Sequence, residues 1–494
     1  MWLEKTKGNS LLTWITFCSG CGFALFGYDQ GVFGGLLDNE SFVRVFDHPN
    51  AILRGHITAT FDLGCFITAM LTMWWGNKLG SRRNILFGCV ILIIGAILQS
   101  AAYSVAQLIV GRLIAGFGNG MITASIPVWQ SETTPARYRG RIMVLQLVLN
   151  QVGNVMSQWI NYGMTFIAGS EASWRFPLAF QCFFAVLVII PIPWLPDSPR
   201  WLVIKDRNEE AYEIMRRLAG AQTDSEQQTQ EAFQEIQQSV YHEMALGRIT
   251  VKSLLANDSI QTTRRLILGA GTQFMQQFGG INILLYYFPI VFSSLGLSRN
   301  LSLILAACNA MNLLISTCVG TLYIDTFGRK RLMALGAAGQ SFCLVLVAVG
   351  LAIGGYQWNI VAVSFIFGFI TVFGLSWIAV PWMYPAEVNT QRMRIAGSGV
   401  ATATNWISNY VVVLVTPIGT ANLGWRFYII FATFNAIFVP VILIFYLETA
   451  NLSLEEIDTR FESKFSKSVH DIRPEIEKSN SEEATVEHAS VCNA

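Results

Sequence analysis

Long apolar segments alternate with short polar segments along most of this chain. A helix that crosses a bilayer needs about 20 consecutive apolar residues, and twelve segments approach or exceed that length. They cover residues 13–36, 56–77, 84–104, 106–128, 143–167, 174–195, 264–292, 301–324, 331–354, 358–384, 396–420 and 425–447. The pattern therefore predicts an all-α membrane protein with twelve transmembrane helices.

Two longer polar segments divide these helices into groups of six. Residues 196–262 are rich in Gln, Glu, Asp and Arg, and residues 448–494 end in a Ser- and Glu-rich stretch that is typical of disorder. We therefore predict a first half at 1–195, a linker at 196–262, a second half at 263–447 and a tail at 448–494.

The composition argues against a soluble enzyme. Hydrophobic residues make up 53% of the 494 residues and charged residues only 13%, whereas an average protein contains about 25% charged residues. The mean hydropathy is +0.45, and the net charge of +1 gives no reason to expect a nucleic-acid partner. Because the sequence has no metal-ligand cluster or nucleotide-binding loop, we expect no cofactor.

Arg and Lys residues concentrate in alternate loops, which gives the expected orientation. Eleven of them lie after the second, fourth, eighth and tenth predicted helices, against five in or beside the loops on the other side. Cytoplasmic loops carry the excess of positive charge, so both termini, the linker and the tail are predicted to be cytosolic. Asn39 then begins an external glycosylation sequon. A glycosylated asparagine and an unused sequon are equally good interpretations of it.

The two halves share three motifs in the same order, which indicates an internal duplication. The pairs are residues 76–83 with 325–331, Glu132 and Arg139 with Glu387 and Arg394, and the Trp-Arg-Phe sequences that begin at Trp174 and Trp425. Two repeats around a central site at the bilayer midplane are the plan of alternating-access transporters. The expected protein is thus a transporter that works as a monomer.

Three ionisable residues lie well inside the predicted helices. At 1.5 Å per residue, Asp29 and Arg112 both lie roughly 10 Å below the outer surface, and Asp62 lies at a similar depth. Such residues are costly in a bilayer and mark substrate or proton paths. We predict a buried Asp29–Arg112 pair that protonation of Asp29 releases. A static ion pair is the alternative, and Asp62 is either the titrating group or a fixed counter-charge.

Charged residues also recur near the predicted cytosolic surface of both halves. In one interpretation, salt bridges between the halves at this surface lock the outward-open state. In the alternative, the same charges only set the topology of the protein in the membrane. The predicted gate residues are Glu132, Arg139, Asp325, Arg329, Glu387 and Arg394.

Amide and indole side chains are concentrated in the second half. The seventh predicted helix contains Gln273, Gln276, Gln277 and Asn282; the tenth adds Trp377 and Trp382; the eleventh adds Asn405, Trp406 and Asn409. Amides donate to and accept from hydroxyls, and an indole face packs on a sugar ring. The pattern therefore favours a neutral polyhydroxyl substrate, with hydrogen bonding between helices as the alternative.

These motifs resemble those of the sugar porter family of the major facilitator superfamily. The matching elements are residues 26–31, 111–112, 127–132, 139–140, 196–200, 276–282, 325–330 and 447–449, which extend over nearly the whole chain. Residues 62–66, 126–132 and 380–382 are similar to the fungal branch of monosaccharide and polyol proton symporters, which contains the yeast glycerol/proton symporter.

The resemblance implies a proton-binding role for Asp29 with Arg112, and an import function for a sugar or polyol in the plasma membrane. It implies sugar contacts from Gln276, Gln277, Asn282, Trp382 and Asn405, and an outer gate of Tyr286 and Tyr287. Passive members carry Asn in place of the acid, so symport is favoured over passive uptake. The short tail disfavours a sugar sensor. The usual sugar-binding amides of the fifth and eighth helices are replaced by Leu147 and Leu313, which leaves the substrate open.

Overall fold

The computed structural model describes residues 6–167, 169–219, 226–245, 261–294, 296–390, 393–450, 452, 456–457 and 459–461. Inside the helices, the side chains at 73–74, 76–77, 136–139, 243, 245, 293–294 and 395 lie outside this description. Every regular element in the described part of the chain is a helix, which confirms the predicted all-α class.

The described residues of the first half and the linker contain ten α-helices. Those of the first half are α1 (Gly8–Leu36), α2 (Glu40–Val45), α3 (Ala51–Leu79), α4 (Ser81–Ser100), α5 (Val105–Thr133), α6 (Ala136–Gly163) and α7 (Ala172–Ile189). Those of the linker are α8 (Pro199–Ile204), α9 (Asn208–Ala219) and α10 (Glu226–Ala245). The linker helices share a small apolar cluster of their own, which includes Trp201, Leu202 and Phe233.

The second half contains nine described helices. They are α11 (Thr262–Phe278), α12 (Ile281–Leu285), α13 (Phe288–Ser294), α14 (Arg299–Phe327), α15 (Arg329–Ile353), α16 (Tyr356–Ser376), α17 (Val380–Val388), α18 (Arg394–Leu423) and α19 (Trp425–Phe445). The repeated Trp-Arg-Phe sequences lie at the beginning of α7 and α19, so they occupy equivalent places in the two halves.

Nine helical segments of the described residues are long and apolar enough to cross a membrane. They correspond to the first, third, fourth, sixth and eighth to twelfth predicted segments. The predicted segments 56–77 and 143–167 coincide with α3 and α6, and the segment 264–292 is divided among α11, α12 and α13. The count of twelve transmembrane helices stays a prediction.

The division of the seventh segment has a local cause at Gly279 and Gly280. Gly280 adopts φ +95°, a left-handed conformation that glycine adopts without a steric penalty. Non-helical backbone at membrane depth is tolerated where protein groups satisfy it. Here Nδ2 of Asn435 donates to the carbonyl oxygen of Gly279 at 2.8 Å. The break is thus a supported feature that separates α11 from α12.

Gly80 and Gly328 make the same turn in the two halves. Gly80 has φ 82° and ψ 154°, and Gly328 has φ 82° and ψ 156°. Each joins two long helices as the N-terminal cap of the second one. Two turns of identical hand and angle at corresponding motifs support the internal duplication.

Close contacts hold the helices of each half together, and two helix pairs make the most extensive contacts between the halves. In the first half α1 packs on α6 and α5 packs on both α3 and α4, while in the second half α15 packs on α16 and α19. The halves meet where α3 packs on α18 and where α6 packs on α14. The face of α3 toward α18 is therefore where groups of the two halves can bond.

Asn39 is part of the fold rather than a free surface residue. Its side chain is buried, and its Oδ1 accepts from the backbone N–H groups of Ser41 and Phe42 at 3.0 and 3.3 Å, which caps α2. Its Nδ2 donates to Oγ of Ser173 at 3.0 Å. This side chain is occupied inside the structure, which favours the unused interpretation of the sequon.

The described end of the tail returns to the beginning of α11. The ring of Phe461 lies 4.2 Å from the guanidinium of Arg265, and the carbonyl oxygen of Phe461 accepts from Nε2 of Gln261 at 2.6 Å. Phe461 is fully buried. The first part of the tail therefore belongs to the packed structure.

Candidate functional site

The structure brings Asp29 and Arg112 together in the middle of the first half. Nη1 of Arg112 donates to Oδ1 and Oδ2 of Asp29 at 2.9 and 3.0 Å. Both side chains are buried, with exposures of 1% for Asp29 and 0% for Arg112. Removing one partner of such a pair costs about 3–5 kcal/mol, because a charge is left without compensation. The protonation state of Asp29 therefore strongly affects Arg112 and the groups around the pair.

Arg112 has further partners that do not depend on Asp29. Its Nη2 donates to the carbonyl oxygen of Thr58 at 2.9 Å, and its Nε donates to that of Ile57 at 3.3 Å. The rings of Phe33 and Phe61 lie 4.1 and 4.5 Å from the guanidinium carbon, one from α1 and one from α3. These cation–π contacts are worth most in a desolvated place. The guanidinium is held by α3 as well as by the acid.

Asp62 lies on α3, one helical turn after Thr58, and its hydrogen bonds go to the second half. Its Oδ1 accepts from Oη of Tyr286 at 3.2 Å and from Nδ2 of Asn409 at 3.1 Å. Asp62 is fully buried, and no described group donates to its Oδ2. The two interpretations of Asp62, as the titrating group or as a fixed counter-charge, both stay open, and the structure adds that Asp62 bonds to the facing half.

The predicted substrate-binding amides form two connected groups. In the first group, Nδ2 of Asn405 donates to Oε1 of Gln273 at 2.6 Å and to Oε1 of Gln276 at 3.2 Å. The amide nitrogens of these glutamines donate to the carbonyl oxygens of Pro381 and Trp377, both at 2.8 Å. This group matches the alternative of hydrogen bonding between helices.

The second amide group has unused capacity. Nδ2 of Asn282 donates to Oδ1 of Asn409 at 2.6 Å and also to Oε1 of Gln277. No described group donates to Oδ1 of Asn282, although the residue is only 1% exposed. A buried polar atom without a partner is costly. A ligand hydroxyl is a suitable donor for it.

The aromatic residues predicted for the substrate site and the outer gate belong to two parts of the second half. Tyr286 and Tyr287 occupy the turn between α12 and α13 and are buried, and Oη of Tyr287 donates to the carbonyl oxygen of Val413 at 3.0 Å. Trp382 lies at the beginning of α17 and is half-buried. In this structure the two tyrosines therefore tie α12 and α13 to α18.

At the junction of α14 and α15, Arg329 joins several elements of the second half. It forms two hydrogen bonds with Glu387, at 2.8 and 3.2 Å, and one with Asp325 at 2.7 Å. Glu448 accepts from the backbone N–H groups of Arg329 and Lys330 at 2.8 and 3.1 Å. These contacts connect α14, α15, α17 and the beginning of the tail within one half.

The corresponding contacts of the first half join it to the linker. Nε of Arg82 lies 3.3 Å from Oδ2 of Asp197, and Oγ of Ser198 donates to Oε2 of Glu132 at 2.5 Å. Burial raises the pKa of Asp197, while the nearby Arg82 guanidinium acts to lower it. The side chain of Arg139 lies outside the described residues, and Arg394 is half-buried at the beginning of α18.

We expect Arg329→Gln to reduce uptake about tenfold. Removing one partner of a largely buried, bidentate ion pair costs a few kcal/mol, because the other charge is left without compensation. Arg331→Gln is the matched control, because Arg331 is exposed two residues further on; it should stay within about twofold of the wild type. Initial uptake rates, corrected for surface expression, measure both. Equal losses in the two variants would contradict the role of the Arg329 cluster.

The sequence interpretation missed an amide-rich face on α6. Asn150, Gln158 and Asn161 donate to the carbonyl oxygens of Phe23, Gly31 and Val32 on α1, at 3.2, 3.3 and 2.9 Å respectively. Both polar atoms of the buried Asn154 are without a partner among described residues. The helical spacing of these amides inside the apolar segment 143–167 was the available signal.

A buried acid–arginine pair in the first half and a cluster of buried amides in the second, within two repeated groups of helices, indicate a membrane transporter. The chain matches the family described as Sugar (and other) transporter over residues 14–461 and belongs to that family. It is therefore a multi-pass member of the major facilitator superfamily, and the family predicted from the motifs is confirmed.

Relatives and solved structures agree with this assignment. The chain is 42% identical to the MFS-type transporter oryC of Aspergillus oryzae, over 92% of this chain and 86% of that protein. It is 36% identical to the sugar transporter STL1 of Saccharomyces cerevisiae, over 92% and 82%. The proton:xylose symporter XylE of E. coli has the same fold, with a TM-score of 0.76 and 25% identity over 92% of this chain and all of that chain. These homologues are transporters and not enzymes.

Proposed function

We propose that this protein imports a neutral sugar or polyol, with a monosaccharide as the first candidate, together with a proton by alternating access. Twelve transmembrane helices in two halves, with both termini, the linker and the tail in the cytosol, complete the proposal. The protein acts as a monomer in the plasma membrane, and its partners are the proton, the substrate and the lipid bilayer.

The buried pair of Asp29 and Arg112 is the main observation that supports the proposed proton coupling. Protonation removes the charge of Asp29, which changes the balance of a pair held by two hydrogen bonds. A ligand shifts a conformational equilibrium only through its different affinity for the two states. Because α3 holds Arg112 and also contacts α18 of the other half, a proton at Asp29 acts on the interface between the halves.

The amide cluster supports the choice of a neutral substrate. Gln277 and Asn282 keep hydrogen-bonding capacity that described groups do not use, and Gln276, Asn405 and Trp382 lie in the same half. A site that bound an anion would need a compensating cation beside it, and these five residues include none. The relatives named as sugar transporters agree with this substrate class.

The remaining residues are assigned to the two gates. Tyr286 and Tyr287 close the outer side, where Tyr286 bonds to Asp62 of the first half. The inner gate consists of Asp325, Arg329 and Glu387 with Glu132, Arg139 and Arg394. Breaking the Arg329 contacts frees α17 from α15 as the inner side opens.

Uptake of labelled glucose, xylose and glycerol in cells that lack their own carriers tests the proposal. A membrane potential of about 100 mV contributes about 2.3 kcal/mol per proton, and one pH unit adds about 1.4 kcal/mol. Accumulation of up to several hundred-fold is therefore expected. A protonophore should reduce it to equilibration.

Accumulation that survives the protonophore would contradict proton coupling. Equilibration without accumulation in untreated cells would show a passive facilitator instead. Failure to transport any of the three compounds would remove the support for a polyhydroxyl substrate.

A further inference from the structure

An unbroken series of hydrogen bonds joins Asp62 of the first half to the amides of the second half. Asn282 donates to Oδ1 of Asn409 at 2.6 Å, and Nδ2 of Asn409 donates to Oδ1 of Asp62 at 3.1 Å. All three residues are at most 1% exposed. Asn282 also donates to Gln277, so the series ends at two residues of the proposed substrate site.

The direction of this series is fixed at its Asp62 end. Oδ1 of Asp62 takes two hydrogen bonds, and a carboxyl oxygen without a proton can only accept. Asn409 must therefore turn its NH₂ group toward Asp62, which turns its own Oδ1 toward Asn282. Asn282 in turn must direct its NH₂ group to Asn409.

The direction of this series determines which amide atoms remain available at the substrate end. The two hydrogens of Asn282 Nδ2 are used by Asn409 and Gln277, so Oδ1 of Asn282 is left as a buried acceptor to which no described group donates. Oε1 of Gln277 is taken, which leaves its NH₂ group as a donor. The site thus presents one defined acceptor and one defined donor, and hydrogen bonds in series reinforce one another.

We propose that Asp62 is a positioning residue that fixes the orientation of the Asn282 amide through Asn409, and so makes the site select a substrate hydroxyl that donates a hydrogen bond. This inference rests on the proposed function, since it needs a polyhydroxyl substrate. It assigns Asp62 a part in specificity that depends on its accepting oxygen and not on its charge.

Fluorinated analogues separate donation from acceptance. A fluorine that replaces a hydroxyl cannot donate a hydrogen bond, so the analogue substituted at the hydroxyl facing Asn282 should bind about tenfold more weakly, as expected for one neutral hydrogen bond. The probes are D-glucose, D-xylose and glycerol with their monodeoxyfluoro analogues. Their inhibition constants against transport of the best substrate give a ratio for each position.

Two substitutions at one position make the test specific. Asp62→Leu removes the acceptor at similar size, so Asn409 and Asn282 are free to turn over, and the tenfold ratio should fall to about twofold or less. Asp62→Asn removes the charge but keeps an oxygen to which Tyr286 and Asn409 can both donate, so the ratio should stay closer to that of the wild type than to that of Asp62→Leu. Asn409→Leu interrupts the series and gives a second variant, expected to behave as Asp62→Leu, if the latter fails to fold.

The outcomes distinguish this inference from the function on which it rests. If the wild type binds none of the three compounds, both are overturned. If it binds one of them but shows no position with a fluorine penalty, or if Asp62→Leu and Asn409→Leu keep the wild-type ratio, only the inference is overturned. If Asp62→Asn also loses the wild-type ratio, the effect depends on the charge of Asp62, and this result too overturns the inference.

Discussion

Asp29→Asn should abolish accumulation of substrate against a gradient and leave exchange of substrate across the membrane intact. The asparagine keeps the size of the side chain and one oxygen that can accept from Arg112, but it cannot carry a proton at any physiological pH. The accumulation ratio should therefore fall from as much as several hundred-fold to about one, since the protonmotive contribution is lost.

Two assays in the same vesicles separate these effects. Proton-driven uptake measures accumulation, and counterflow of labelled against unlabelled substrate measures exchange. Asp38→Asn is the matched control, because Asp38 also pairs with an arginine, Arg54, at 2.9 Å, but both side chains are partly exposed, near the end of α1 and the beginning of α3. Accumulation that persists in Asp29→Asn would place the proton elsewhere, with Asp62 as the next acid to test.

Gly27→Ala is expected to prevent correct packing of the first half. A Cβ atom at Gly27 would lie 1.7 Å from the carbonyl oxygen of Asn150, and one at Gly153 would lie 1.9 Å from that of Ala24. The two helices α1 and α6 thus approach each other through reciprocal glycines. Overpacking costs about 1–3 kcal/mol, occasionally more, and a rigid backbone obstacle puts this case at the upper end.

The yield of monodisperse protein in detergent, and its thermal midpoint, measure the effect. We expect the yield of Gly27→Ala to fall at least about tenfold, as about 1.4 kcal/mol gives a factor of ten. Gly163→Ala is the control, because no atom lies within 4 Å of a Cβ added at that end of α6. Similar yields for the two variants would show that α1 and α6 separate easily.

Hydropathy predicted the helical class and most helix positions because burial in lipid demands long apolar segments whatever the tertiary structure. The exceptions have local causes. The segment 264–292 contains Gly279 and Gly280, whose effect on the helix depends on Gly280 adopting φ +95°. The composition of that segment does not reveal this angle. The sequence therefore predicted one helix where the structure has three.

Counting residues along a helix gives depth but not rotation. It placed Asp29, Asp62 and Arg112 at similar depths, and it could not decide which acid faces the arginine. The structure has Arg112 bonded to Asp29 on α1, whereas Asp62 bonds to Asn409 and Tyr286 across the interface. That choice depends on how α3 is turned against α18, which is a property of tertiary packing.

The same limitation affected the amides. Gln273, Gln276 and Asn405 satisfy one another and nearby carbonyl groups, while no described group donates to Oδ1 of Asn282. Their residue types are equivalent for hydrogen bonding, so the sequence alone could not separate structural amides from those available to a ligand. Only the partners of each atom make that distinction.

The surroundings of Arg112 have an electrical consequence. Two carbonyl oxygens and the faces of Phe33 and Phe61 hold the guanidinium independently of Asp29, so it remains charged and in place when the acid is neutral. The pair then carries no net charge when Asp29 is ionised and a charge of +1 when it is protonated. Each transport cycle of a neutral substrate would move one elementary charge inward, and substrate addition should therefore produce an inward current that increases as the membrane is hyperpolarised.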